Sequence, residues 1–134
     1  MTVLRHEVMQ VQSSYDVMAV RQEVRAWAVA QGLSLVDQTK IVTAASELAR
    51  NTLQHGNGGT ALLEALQNGT RKGLRLTFED KGPGIADVTL ALRDGYTTAQ
   101  GLGLGLGGSK RLVNEFDIWS RQGEGTRVTV TRWT

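Results

Sequence analysis

The sequence predicts a two-layer α/β sandwich, in which helices cover one face of a mostly antiparallel, mixed β-sheet. Three observations carry this fold class. Two stretches, Val17 to Ala28 and Ile41 to Leu53, repeat apolar residues at helical spacing. Two pairs of strand-like runs are joined by short glycine-bearing links, around Asn68-Gly69 and around Gly123-Glu-Gly125, as hairpins are. The order is strand, helix, helix, two strands, short helix, helix, two strands. Hairpin-joined neighbours favour antiparallel pairing, and the helices are then left to bury a single sheet face.

Taken in order, Val3 to Gln12 is rich in valine but alternates imperfectly, which suits an edge strand. Ser13 followed by Asp16 resembles a capping pair, and Val17, Val20, Val24, Trp27 and Ala28 then recur at helical spacing until Gly32. Ser34 with Asp37 repeats the arrangement ahead of Ile41, Val42, Ala45, Leu48, Ala49 and Leu53, an apolar face that runs to Gly56. Thr60 to Leu66 and Gly73 to Glu79 form a hairpin across Gln67-Asn-Gly-Thr70. The second run alternates cleanly, with Leu74, Leu76 and Phe78 on one face and Arg75, Thr77 and Glu79 on the other. Residues 80–85 read as a loop, Asp87 to Leu92 as a short helical segment, Asp94 to Gly101 as a polar loop and Leu106 to Asn114 as a helix. Phe116, Ile118, Val128 and Val130 mark the closing hairpin, and Phe116, Trp119 and Trp133 are expected in the core because aromatic residues are more often buried at home.

Composition narrows the function classes. A chain of 134 residues is expected to form one domain, spanning 1–134. A chain near this size buries roughly 70% of its unfolded surface, so it needs no metal or disulfide to hold a core. There is no Cys, which removes disulfides, thiolate zinc sites and a cysteine nucleophile, and only His6 and His55 remain as imidazole ligands. The formal charge of +2 has no block of like charges behind it, so nucleic-acid binding gains no support. No window approaches the roughly 20 apolar residues of a membrane span, and a cytoplasmic location is expected. Glycine is in excess, 16 residues or about 12% against a usual ~7%, and its placement is informative.

Three segments hold residues suited to chemistry. In Glu47-Leu-Ala-Arg-Asn51, positions four apart share a helix face, so a carboxylate and an amide oxygen project together, with His55 one turn further on. Such a pair suits a Mg²⁺ shared with substrate phosphates, or a base for an attacking hydroxyl. The same spacing also fits a plain solvated face, and His55 fits a surface residue near a helix end. In Glu79-Asp-Lys-Gly-Pro-Gly-Ile85, glycines flanking a proline let a planar ligand approach, and Asp80 at a strand end can accept from an exocyclic amine; a solvent-facing turn is the bland alternative. In Gly101-Leu-Gly-Leu-Gly-Leu-Gly-Gly108, alternating glycines ahead of a helix leave backbone N–H groups free for phosphate oxygens, against the alternative of a hinge.

Together and in this order, these segments resemble the N, G1 and G2 boxes of the gyrase, Hsp90, histidine kinase and MutL (GHKL) superfamily, and Gly125-Thr126 resembles the Gly-Thr that closes its adenine pocket. The resemblance covers nearly the whole chain and implies the Bergerat ATP-binding fold. It leaves no room for a second domain, and so points to the minimal serine/threonine kinases of bacterial partner-switching pathways. Ala45-Ser-Glu-Leu-Ala-Arg-Asn51, 79–85, Asp94-Gly-Tyr-Thr-Thr98 and Lys110-Arg-Leu-Val-Asn-Glu-Phe116 look most like the stressosome switch kinases of the RsbT type.

Residue by residue, the resemblance implies Glu47 as general base, Asn51 as Mg²⁺ ligand and Asp80 as partner of the adenine amine, with Gly82, Gly84 and Ile85 shaping the pocket. It implies that Gly101, Leu102, Gly103, Leu104 and Gly105 form the phosphate loop, with Lys110 on the helix behind it, and that Thr126 supports adenine through a water. ATP and Mg²⁺ are the implied cofactors, and a Ser or Thr of a sulfate-transporter/anti-sigma-antagonist (STAS) domain is the implied substrate. A PP2C-type phosphatase or a sigma factor is the implied second partner, with an anti-sigma factor as the competing reading. Gly107-Gly108 departs from the family pattern at the start of that helix, and 93–100 is short for an ATP lid.

Overall fold

The computed structural model describes residues 1–93 and 105–134. Strand β1 (Thr2–Val11) leads through a short turn into α1 (Ser14–Ala30) and α2 (Leu35–Gln54). The hairpin β2 (Gly59–Asn68) and β3 (Arg71–Asp80) follows, then α3 (Val88–Ala91), α4 (Gly105–Arg111), β4 (Glu115–Arg121) and β5 (Gly125–Trp133). The strands form one sheet in the order β1-β2-β3-β5-β4. All four pairings are antiparallel, so the mixed element of the expected sheet is absent among the described residues.

The local signals work as their chemistry requires. Ser13 and Ser34 cap α1 and α2, each hydroxyl oxygen accepting from the backbone N–H three residues on, at 3.1 Å. Gly32 takes φ +80°, a conformation that ends the α1 pattern without a Cβ penalty. The β2–β3 hairpin differs from expectation by one residue. Asn68 pairs with Arg71, so the two loop residues are Gly69 and Thr70, and only Gly69 has positive φ. That is the signature of a turn with glycine first, not of an Asn-Gly turn. As expected, β1 is an edge strand.

The core lies between the helices and one sheet face. Val20, Val24 and Trp27 of α1 and Ile41, Ala45 and Leu48 of α2 pack on Leu63, Leu74, Leu76, Phe78 and Val130. At β4 the alternation separates the aromatics: Phe116 and Ile118 pack against the core, whereas Trp119 is 42% exposed on the opposite face, 5.8 Å from the Arg127 guanidinium. The expectation that Trp119 is core is therefore corrected. A strand turns successive side chains to opposite faces, so Trp119 points away from the face on which Phe116 and Ile118 meet the core. Trp133, also on the outer face, is buried because Gly73 lets its ring lie against the neighbouring strand, where Arg71 covers it.

Helix α4 begins at Gly105 and ends at Arg111, one residue earlier and three earlier than the sequence pattern predicts. Gly107 lies inside it. A Cβ there would stand 2.3 Å from the Leu92 carbonyl oxygen, so glycine permits α4 to sit against the end of α3. Arg132 ties β5 to the start of α2 through a 2.7 Å bond to Asp37, and that guanidinium holds the Asp37 carboxyl below its usual value. Among the described residues no helix is long and apolar enough to cross a membrane.

Candidate nucleotide site

A cavity of about 470 Å³ opens on the helical side of the sheet, where α2, the loop after β3, α3, α4 and β5 converge. Its floor is apolar. Phe78 and Val128 supply the sheet side, and Ile85, Leu90, Ala91 and Leu106 the walls, which suits a flat heterocycle. Polar groups enter from two directions.

From α2 come Glu47, Asn51 and His55. Glu47 is only 6% exposed, which excludes the solvated-face reading. Arg50, also on the cavity wall, holds its carboxylate at 3.0 Å. Asn51 is half-buried, with its amide one turn beyond Glu47 on the same face. His55 is exposed as expected, but it caps the C-terminus of α2, lines the cavity and acts electrostatically on Asp80. Among the described residues no group of three or more His, Cys, Asp or Glu side chains could hold a metal. Asn51 therefore fits a hard cation only where phosphate oxygens and water complete the set, the usual manner of Mg²⁺.

From the sheet come Asp80, at the end of β3, and Thr126, its cross-strand partner on β5. Burial raises the Asp80 pKa above its ordinary value, while bonds from the Gly82 and Thr126 backbone pull it down. Gly82 does not line the cavity itself; its N–H donates to Asp80 Oδ1 at 2.9 Å. Gly84, with φ +75°, lines it, and a Cβ there would meet the Arg121 carbonyl oxygen at 2.3 Å. The loop is thus clamped onto the β4–β5 hairpin, where Gly123 N–H also donates to the Pro83 carbonyl at 2.7 Å.

The candidate residues Glu47, Asn51, Asp80, Gly84, Ile85, Gly105 and Thr126 accordingly line one cavity. Lys110 is exposed in the last turn of α4 and lies outside the described lining. The candidates Gly101, Leu102, Gly103 and Leu104, with Asp94 to Thr98, fall outside the described residues.

Besides Arg50 and, Ile85 apart, the apolar floor and walls, which sequence reasoning did not assign to the site, two residues beside it were missed. Gly56 follows α2, and a Cβ on it would lie 2.2 Å from Asp80 Cγ, so the carboxyl rests against bare backbone. Its only signal was a glycine ending a helical pattern. Ser120 on β4 gave no signal, because its part depends on pairing with Thr126 across the hairpin.

Residues 12–132 match the family model described as the histidine kinase-like ATPase domain. The chain is 42% identical over 123 residues to the serine/threonine-protein kinase RsbT of Bacillus subtilis (strain 168), covering 92% of each chain. It is 27% identical to an anti-sigma F factor of Thermoanaerobacter over 84% of this chain and 82% of that one. Among solved structures, the RsbU and RsbW domains of Rv1364c from Mycobacterium tuberculosis superimpose with a TM-score of 0.65 at 23% identity, over 96% of this chain and 31% of that chain. The mycobacterial sensor histidine kinase MprB gives 0.56 at 17%, over 96% and 97%. At these identities the two structures share the fold. Match and cavity agree, and the chain belongs to the histidine kinase-like ATPase domain family.

Proposed function

We propose that the protein is an ATP-dependent serine/threonine protein kinase that phosphorylates a STAS-domain partner in a cytoplasmic stress-signalling pathway of the partner-switching type. The observation that carries this is the meeting of a buried carboxylate, an amide and an adenine-type recognition edge in one cavity, at Glu47, Asn51 and Asp80 with Thr126. The likeness to RsbT supports the choice of acceptor class.

In this reading adenine lies on the Phe78–Val128 floor with its exocyclic amine toward Asp80, and the phosphates extend past Asn51 toward the start of α4. Asn51 would hold a magnesium ion, which would neutralise phosphate charge when bound. Glu47 receives the proton of the acceptor hydroxyl as that oxygen bonds the γ-phosphorus and the bond to the bridging oxygen breaks, releasing ADP. Burial and the Arg50 contact hold the carboxylate in place for that transfer. Phosphoryl transfer depends mostly on positioning and charge stabilisation, which such a site supplies.

The test is phosphopeptide mass spectrometry of host lysate incubated with Mg²⁺-ATP and either the wild type or Glu47→Gln. A new phosphoserine or phosphothreonine on a STAS domain is expected with the wild type. Loss of a general base lowers transfer by about 10²–10⁴-fold while ATP binding persists. Equal phosphorylation by the two proteins would remove Glu47 from the mechanism.

The likeness to anti-sigma F factors favours a second reading, nucleotide-dependent capture of a sigma factor. It predicts ATP binding and a stable complex with a sigma factor, and no new phosphosite. A PP2C-type phosphatase is the proposed second partner of the kinase reading; an RsbU domain accompanies the RsbW domain in Rv1364c.

A further inference from the structure

We infer that Ser120, which lies behind the pocket, sets the base preference of the site by fixing the hydroxyl proton of Thr126 away from the ligand. The inference rests on the reading of this cavity as an adenine site. Ser120, Thr126 and Asp80 form one row across β4, β5 and β3. Ser120 Oγ makes three contacts. The Ile85 N–H donates to it at 2.8 Å, the Gly125 carbonyl oxygen lies at 3.1 Å, and Thr126 Oγ1 lies at 2.8 Å.

The protons can be counted. A hydroxyl carries one proton and two acceptor lone pairs, and a carbonyl only accepts. Three bonds need three protons, from the Ile85 amide, the Ser120 hydroxyl and the Thr126 hydroxyl. The amide proton goes to Ser120. The Gly125 carbonyl can take only the Ser120 proton, so the Thr126 proton must point at Ser120. Thr126 is then left with lone pairs alone to offer the cavity it lines.

Asp80 presents a carboxylate beside it, with Oδ1 already accepting from Gly82. This wall of the pocket therefore offers acceptors. An exocyclic amine, as on adenine, satisfies them. A ring carbonyl at the same position, as on hypoxanthine or guanine, sets oxygen against oxygen and leaves acceptors that the bound base covers unpaired. Asp80 supplies the contact, and Ser120 is a positioning residue that removes the alternative orientation of Thr126.

The test is calorimetric affinity for Mg²⁺-ATP and Mg²⁺-ITP, which differ at that exocyclic group and at the adjoining ring N1 and share a triphosphate. In Ser120→Ala the Thr126 hydroxyl is free to turn and donate to the hypoxanthine oxygen, and the preference for ATP over ITP is expected to fall about tenfold. Ser120→Thr, which keeps the hydroxyl, retains the wild-type ratio. In a Thr126→Val background, adding Ser120→Ala leaves the ratio unchanged, because no hydroxyl remains to orient. Simple loosening of the loop weakens both nucleotides alike and leaves the ratio at the wild-type value, which overturns the inference. A ratio that falls by the same factor in the Thr126→Val background also overturns it. A wild type without preference for ATP refutes the adenine reading itself, a result distinct from these.

Discussion

Replacing Gly56 by alanine tests whether the Asp80 carboxylate recognises the nucleotide. The new Cβ would stand 2.2 Å from Asp80 Cγ, where ordinary contact begins near 3.4 Å, so about 1.2 Å of separation must be recovered. Little of it comes from the α2 side, because Gly56 lies close against the Gly82 backbone, where even a Cβ added to Gly82 would stand 2.6 Å from Gly56 Cα. The carboxylate must move, and a bond of about 2.9 Å to an adenine amine stretches to about 4 Å, beyond hydrogen-bonding range. A bond to a charged group contributes about 1.5–3 kcal/mol, so ATP affinity should fall by roughly 10–150-fold. Calorimetric titration with Mg²⁺-ATP measures it, beside a thermal melt to establish folding. A folded Gly56→Ala protein within threefold of wild-type affinity would refute the argument that this carboxylate, held in this place, reads the base.

Two further outcomes follow from the same geometry. Because burial raises the Asp80 pKa, the preference for ATP over ITP should decline with acidification from a higher pH than the ordinary aspartate value of 3.8 would set, as the acceptor becomes protonated; a ratio that stays level down to that value contradicts it. Gly107→Ala should lower the melting temperature, although alanine is the better helix former by about 1 kcal/mol, because overpacking against the Leu92 carbonyl costs typically 1–3 kcal/mol. A stabilised variant would show that α3 and α4 separate freely.

Much of this fold is written in short-range chemistry. Ser13 and Ser34 announce helices because a hydroxyl two or three residues ahead of an orphan amide is a local arrangement. Leu74, Leu76 and Phe78 declare a half-buried strand because side-chain direction alternates with period two. Glu47 and Asn51 share a face because helical periodicity says so. Where neighbouring elements intervene, local reading falls short. Trp119 is as apolar as Trp133, yet one is exposed and the other buried, because Trp133 has Gly73 across from it, which leaves room for its ring. Gly107 looks like a poor helix residue until the Leu92 carbonyl is seen against it.

The sequence by itself determined where a carboxylate and an amide four residues apart, an acidic strand end and glycine-rich segments stand along the chain, and the order of elements that carries them, since side-chain type and periodicity are local properties. Whether Glu47 faces solvent or a cavity was decided by tertiary structure, as packing of α2 on the sheet leaves it 6% exposed. So was the partnership of Gly56 with Asp80 and of Ser120 with Thr126. Those contacts join residues 24 positions apart around a hairpin in the first case, and neighbouring strands in the second. They arise from strand register and close backbone approach, and both depend on where the rest of the chain has already folded.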